Sequence, residues 1–594
     1  MTCQDMIYSN DYMDLIVNVH EGNRSSLELY PDSCINEIAE RIGLFHLKRS
    51  STYLTNLETV PYSSIPKLFG LMDSSNMEVT GVKQVQSPSY LGLDGSGVIV
   101  GIIDTGIMYD NALFRDENGN SRIGIIWDQT IRKDDPEDVE NMSEQERSIM
   151  VGTLTIEQQT KTVSLPLYGT AYTNAQINEA LQSENPYEIV PTRDENGHGT
   201  FLAGIAAGGV NRENDFTGIA TGAEIAVVKL KETKPYLREF FQVKQDVPAY
   251  SETDIIYAVD FLLKYSRAKQ KPLSILIGLG SSNGGHEGLT YLEQYLSVIL
   301  QNVEIMVSTP AGNEGTERLH YYGELPKNVE YDEVEVNMDA GQKGLSFELW
   351  GNAPNTFALG IISPRGDRIE RISPRFGREE LINLPLSRTS VYVAYQIAEA
   401  YSGNELIFVR LINPTPGIWR FLVYADEGQQ RSFNIWMPLR QFLQDNTHFL
   451  KGSPDDTITV PGNEKNSMTM TAYNHLNGSV FAEASRGYNA RDQVKPDLTA
   501  PGVNITGPGL RNNFVTRSGT SVAAAHSAGM IAQFLQWDLE NDRYNMFFAG
   551  QIKSFFLKGA VRDPDTQYPN PVWGYGIMNI ERLFEGFRVI DSQS

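Results

Sequence analysis

Three short stretches of the chain place chemically capable side chains where a fold could bring them together. "IIDTG" puts Asp104 at the end of an apolar, β-branched run. "ENGHGTFLAGIAAG" puts His198 at the start of a helix of small residues, and "SGTSVAAAHSAG" puts Ser521 at the start of another. Each has an ordinary explanation. Asp104 can form the turn before Gly106, His198 can belong to a glycine loop, and Ser521 can cap its helix by accepting a backbone N–H bond. In an open α/β sheet, however, strand C-ends and helix N-ends are where ligands gather. An Asp, a His and a Ser meeting there can serve as base-orienter, base and nucleophile.

The elements that must position these residues follow from hydrophobic patterning. "VIVGII" (98–103) is almost unbroken in its apolar character, as expected of a strand buried on both faces of a parallel sheet. The runs "AEIAVVKL", "LSILIGLG" and "VEIMVST" alternate with the amphipathic stretches "SETDIIYAVDFLLKYSRAK" and "GLTYLEQYLSVILQN". Strand alternating with helix predicts a doubly wound, parallel-sheet α/β core. Two stretches break the rhythm. Residues 131–190 are polar and acidic. Residues 321–455 become short alternating strands between Gly/Pro turns, predicting an inserted all-β sandwich or jelly roll. Its aromatics Trp350, Tyr392, Tyr395, Trp419, Tyr424 and Trp436 are expected to form core. Residues 1–86 read as an α+β unit of βαβαβ order. The reading has a strand at "LIVNV", a helix over "DSCINEIAERIGL" with Ile35, Ile38, Ala39 and Ile42 at helical spacing, and a strand at "TYLTNLETV". A helix start at "SSIPKLFGLM" and an extended "MEVTGVKQVQ" follow. The expected boundaries are 1–86, 87–320, 321–455 and 456–594.

Composition excludes some functions. The chain has 594 residues, 41% of them hydrophobic, enough for a sizeable core. Its 74 acidic residues outnumber 49 basic ones, a formal charge of −25, which argues against nucleic acid as a partner. No apolar run reaches the length of a membrane span. "MTCQDMIYSNDYMD" has no basic segment followed by an apolar one, so no secretory signal is expected. The cysteines are Cys3 and Cys34 alone; two free thiols are expected, a single bridge being the alternative.

The three catalytic-looking segments, with "TPAGNEG" around Asn313, resemble the subtilisin-like serine proteases of peptidase family S8. The resemblance covers about residues 90–320 and 456–590. It implies Ser521 as nucleophile, His198 as general base and then acid, and Asp104 as the group that holds the imidazole tautomer. Asn313 and the Ser521 N–H would bind the oxyanion. Substrate would lie along Gly278, Leu279, Gly280 and Ser281 and beside Gly312. The sequence departs from the family at Val522 and Ala525, where Met and Pro are usual, and at Gly278 and Ser281 within the common Ser-Leu-Gly-Gly.

The N-terminal unit and the β insertion between Asn313 and Ser521 further resemble the clostridial Csp-type germination proteases. That subgroup implies a propeptide (1–86) acting as intramolecular chaperone, cut by autoprocessing and then retained non-covalently. It also implies a spore location and a cortex-lytic zymogen as protein substrate. Gln86–Ser87 is the expected processing bond, because the core's first turn begins soon after, at Pro88–Tyr90. Two other readings remain: a pseudoprotease that senses or scaffolds in germinant signalling, and a degradative extracellular protease. No cofactor is expected to be required. Asn211, Asn214 and Asp215, where many relatives bind calcium, supply hard oxygens, a solvated loop being the alternative.

Overall fold

The apolar run ending at Asp104 becomes an inner strand, Ile99–Asp104, of a nine-stranded sheet. The computed structural model describes residues 2–20, 30, 33–39, 41–49, 60–72, 86, 92–132, 166–377, 379–425, 431–540 and 546–591. Ile99–Asp104 pairs in parallel with Leu273–Ile277 on one side and Glu224–Lys229 on the other. The parallel array continues through Ile305–Pro310, Met468–Asn474 and Leu498–Pro501 in one direction and through Ile123–Asp128 in the other. Antiparallel strands, Ser479–Val480 and Thr170–Thr173, complete it.

Both faces of this sheet are covered, which is why its strands are apolar throughout. Ser274 pairs with Val100, so Ser274 and Gly101 point to opposite faces. Ser274 donates a 2.7 Å hydrogen bond to the Ala528 carbonyl of the helix Thr520–Glu540. On the other face a Cβ at Gly101 would meet Leu262 of the helix Glu252–Lys269 at 2.8 Å. The helix His198–Ala207 lies against Thr520–Glu540, close enough that a Cβ on Gly529 would stand 2.6 Å from the Ala206 carbonyl. The small residues in both helices permit that approach.

The N-terminal unit departs from its expected order. It is a helix, Cys3–Tyr8, followed by a three-stranded antiparallel sheet with Ile42–Lys48 between Tyr12–Asn18 and Ser33–Ala39. Within "DSCINEIAERIGL" the described residues are therefore not a helix but the whole strand Ser33–Ala39, a turn residue and the start of the next strand. Arg41, at φ 71°, makes the turn, and Ile42–Lys48 is buried along all but its last residue. Pairing on both sides of that strand outweighs the helical spacing of Ile35, Ile38, Ala39 and Ile42. "SSIPKLFGLM" also fails as a helix. Only Tyr62–Ser64 makes a 3₁₀ turn, because Pro66 holds Ile65 extended, and Leu68–Leu71 is a strand. Of "TYLTNLETV" and "MEVTGVKQVQ" only Val60 and Gln86 lie within the described residues. Cys3 and Cys34 are joined in a disulfide rather than free. The helix Cys3–Tyr8 packs on Ser33–Ala39 and brings their Cα atoms to 5.6 Å, within bridging range.

The inserted β unit is two antiparallel sheets, of six and five strands, that share one buried cluster. Tyr395 and Trp419 belong to that cluster. Trp350, Tyr392 and Trp436 do not: they face outward and pack with Leu15, Phe45, Tyr62 and Leu68 of the N-terminal unit and with the core helix Pro235–Phe240. The insert thus grips the N-terminal unit with the second face of a sheet. Among the described residues no helix is long and apolar enough to cross a membrane.

Candidate active site

Asp104 ends its strand fully buried, its Oδ1 accepting 2.8 Å bonds from the Thr105 N–H and from His198 Nδ1. His198 is the first residue of its helix, and Gly197 before it takes φ 87°, a conformation that suits glycine. Asp194 fixes this junction. Its carboxylate accepts from the Gly197 and Thr200 N–H groups and from the Thr105 and Thr200 hydroxyls. The cap of the histidine helix and the turn after Asp104 are thereby tied into one network.

His198 Nε2 lies 3.3 Å from Ser521 Oγ, within the looser range seen in resting serine–histidine pairs. Ser521 is in the first turn of its helix, where backbone N–H groups have no intrahelical acceptor and the helix dipole is positive. Asn313 Oδ1 accepts from the Thr520 N–H and hydroxyl, both at 3.1 Å, which leaves the Asn313 amide Nδ2 as the donor beside Ser521. The structure therefore brings Asp104, His198, Ser521 and Asn313 together at one place. Replacing Asn313 with Ala should lower kcat by about 10²–10³ with KM little changed, the effect of losing one such donor. Steady-state kinetics on a peptide amide decide it.

The cleft is filled by the chain itself. Leu68–Leu71 lies as the middle strand between Tyr250–Ser251 and Leu279–Gly280, antiparallel to both. Leu71 pairs with Leu279 and Gly70 with Gly280. The next carbonyl, that of Met72, meets His198 Nε2 at 2.9 Å. Nothing local in "LFGLM" marks it as a cleft-binding strand.

A family model described as the subtilase family matches residues 95–246 and 444–576, the segments that carry Asp104, His198 and Ser521. The core is a subtilase core. In this subtilase core Asn313 falls between the two matched segments, just ahead of the β insert. The solved structure of the CspB protease of Clostridium perfringens superposes with a TM-score of 0.71 at 28% identity, covering 85% of this chain and 97% of that one. Serine protease AprX of Bacillus subtilis (strain 168) is 29% identical over 157 residues, 23% of this chain and 33% of AprX. Subtilisin-like protease SBT3.6 of Arabidopsis thaliana is 22% identical over 468 residues, 74% of this chain and 55% of that protein. The chain thus spans about a third and about half the length of these two relatives.

The expected substrate-contacting residues divide. Leu279 and Gly280 pair with the bound strand through their backbone. A Cβ on Gly280 would stand 2.5 Å from Thr459 Oγ1 and 3.2 Å from Met72 Cε, so the glycine leaves space that both side chains border. Gly312, at φ 109°, is held by its N–H on the Thr520 hydroxyl, and a Cβ there would press Thr459 and Ser485 at 2.6 Å. Thr459 was not legible as a site residue because it lies far from every motif in sequence. Ser281 turns away from the cleft: its backbone pairs with Val460 and its hydroxyl accepts from the Asn283 N–H.

Gly278 packs closely against Asp104 and His198. A Cβ on it would overlap Asp104 Oδ2 and stand 2.6 Å from Leu202 Cδ1 and 3.3 Å from His198 Cε1. All three neighbours are buried, so the crowding falls on the Asp104–His198 pair. Gly278→Ala should therefore lower kcat about 10- to 100-fold with KM little changed, and overpacking should cost about 1–3 kcal/mol of stability. A wild-type kcat would show that the pair has room.

Gln86 lies elsewhere. Its side-chain amide donates to the Gly218 and Ile219 carbonyls, and Ile219 is hydrogen-bonded to Ile205 in the histidine helix, about 10 Å along the axis from His198. Ser87 and Pro88–Tyr90 fall outside the described residues. Asn211 lies in a strand and Asp215 in the turn of a small hairpin, Val210–Asn211 with Phe216–Thr217, in which Asn211 Oδ1 accepts from both the N–H and the amide of Asn214. The two asparagines are thus joined to each other across the turn. Among the described residues no three His, Cys, Asp or Glu side chains cluster in a way that could hold a metal ion.

Proposed function

We propose that the chain is a serine endopeptidase that cuts itself after Met72 and retains the released N-terminal unit in its cleft. The observation that carries this reading is the Met72 carbonyl on His198 Nε2, delivered by a strand paired in register on both sides. Ser521 Oγ attacks the Met72 carbonyl carbon while His198 Nε2 takes the hydroxyl proton. Asp104 stabilises the imidazolium, and Asn313 Nδ2 with the Ser521 N–H holds the oxyanion. Collapse breaks the Met72–Asp73 bond as His198 returns the proton to the Asp73 amine. Water, deprotonated by His198, then frees the Met72 carboxylate, one oxygen of which can stay where the carbonyl now meets the imidazole. In this reading Met72–Asp73 takes the place of the Gln86–Ser87 bond. A cavity of about 460 Å³ beside Asn313, lined by Phe481, Glu483, Val503 and Ser518, offers room for the leaving-group side.

The likeness to the CspB protease over most of both chains supports assigning this enzyme to the same work as the Csp-type group. We infer a cortex-lytic zymogen as its substrate and the spore as its place. An aryl fluorophosphonate probe tests whether the serine is activated. Slow, single labelling at Ser521, absent from Ser521→Ala, is the expected result. A folded wild-type chain that never labels would favour the pseudoprotease reading.

A further inference from the structure

Gly70 occupies the third position upstream of the proposed scissile bond, and its backbone does not require glycine. It is not among the residues with positive φ, and it pairs as an ordinary strand residue opposite Gly280. Glycine within a strand often marks a place where another group approaches closely. Here that group comes from the β insert. A Cβ built on Gly70 overlaps the terminal amide of Gln441 and meets Leu439 Cδ1 at 3.0 Å. Leu439 is buried in the cluster that also holds Leu68 and Met72, so it cannot retreat. Gln441 sits in the 3₁₀ turn Arg440–Phe442, which follows the last strand of the insert's six-stranded sheet, Ser432–Trp436. The turn is anchored because the Arg440 guanidinium donates to Glu317 Oε2 and to the Gln444 and Thr447 carbonyls.

We infer that Gln441 is a specificity-determining residue of the peptidase, closing the cleft over the third upstream residue and selecting glycine there. The substrate class is a polypeptide segment with an apolar stretch interrupted by glycine, of which Phe69-Gly70-Leu71-Met72 is the resident example. The inference rests on the proteolytic reading above. It also gives the insert a role in selectivity, through one side chain, beyond its packing against the N-terminal unit.

The test follows self-processing of the full-length chain on a denaturing gel over time. Gly70→Ala should slow processing by about tenfold or more, since one methyl group in a closed subsite commands discrimination of that order. Adding Gln441→Ala to Gly70→Ala should recover about threefold or more of the lost rate, the remainder being held by Leu439, which still faces the new methyl group. If Gly70→Ala processes as fast as wild type, or the double variant stays as slow as the single one, the inference fails while the proteolytic reading stands. A wild-type chain that never processes overturns both. Should Gly70→Ala not fold, the comparison moves to acetyl-Leu-Phe-Gly-Leu-Met and acetyl-Leu-Phe-Ala-Leu-Met aminomethylcoumarin amides, offered to wild-type and Gln441→Ala enzymes. A tenfold or larger glycine preference in wild type, reduced by about threefold or more in Gln441→Ala, supports Gln441 as a selector. A wild-type ratio near one overturns it.

Discussion

Ser521→Ala should give a folded protein that hydrolyses no peptide and stays in one piece. The hydroxyl is the only atom that can form the acyl intermediate, and its loss in a subtilisin costs about 10⁶ in kcat. Packing should hardly register the change. Ser521 sits among Thr520, Val522 and Ala523, all fully buried, and its hydroxyl meets His198 at 3.3 Å, so one oxygen leaves and little else moves. Peptide-amide turnover and a thermal melt, run together, separate the two effects. Turnover near that of wild type would dismantle the triad assignment.

Asp14→Ala should loosen the retained N-terminal unit more than any other single change within it. Asp14 is buried where that unit meets the core. Its carboxylate accepts from the Lys234 ammonium and from His46 Nδ1, both at 2.7 Å, and its carbonyl accepts from the Tyr236 hydroxyl. Lys234 also donates to the Met6 and Tyr12 carbonyls, so a core cation is enclosed by the N-terminal unit. Burial alone would raise the Asp14 pKa, but Lys234 and His46 outweigh it and hold the carboxyl well below its ordinary range. Burial also draws the Lys234 ammonium below the ordinary lysine range although Asp14 opposes it, so the net value of the pair is smaller than the carboxylate's side suggests. Removing Asp14 strands the buried ammonium at a cost of about 3 kcal/mol, on the order of a hundredfold in retention. Because the carboxyl's pKa is depressed in the assembled state, its contribution is complete above the ordinary value near pH 4 and is lost as pH falls below it. Size exclusion of the processed protein across that range reads both effects. Retention equal to wild type in Asp14→Ala would remove the ion pair from the account.

What the sequence showed and what it hid follow one physical division. The core strands were legible because burial on both faces leaves an apolar run that any window detects, as at Ile99–Asp104. Asp104, His198 and Ser521 were legible because close packing at strand and helix ends demands glycines and alanines beside them. Gly199, for example, has Asp104 Cβ only 3.2 Å from where its own Cβ would be. The N-terminal unit was misread where strand pairing overrides a local helical spacing. Ile42–Lys48 is a middle strand only because Tyr12–Asn18 and Ser33–Ala39 flank it. The same blindness hid Leu68–Leu71, whose neighbours Tyr250–Ser251 and Leu279–Gly280 lie far down the chain. In the insert, alternation revealed strands with two faces. It did not reveal that Trp350, Tyr392 and Trp436 would be covered by the N-terminal unit. Asp194 went unnoticed because its role lies in what it holds, the start of the histidine helix.

The central claim is that Ser521 cuts the bond after Met72. Intact mass spectrometry of the purified wild-type chain and of Ser521→Ala, both denatured before injection, tests it most directly. The expected wild-type spectrum holds two species, residues 1–72 and 73–594, and the Ser521→Ala spectrum holds the full chain alone. A wild-type spectrum showing only the full-length mass, or fragments that meet at a bond other than Met72–Asp73, would contradict it.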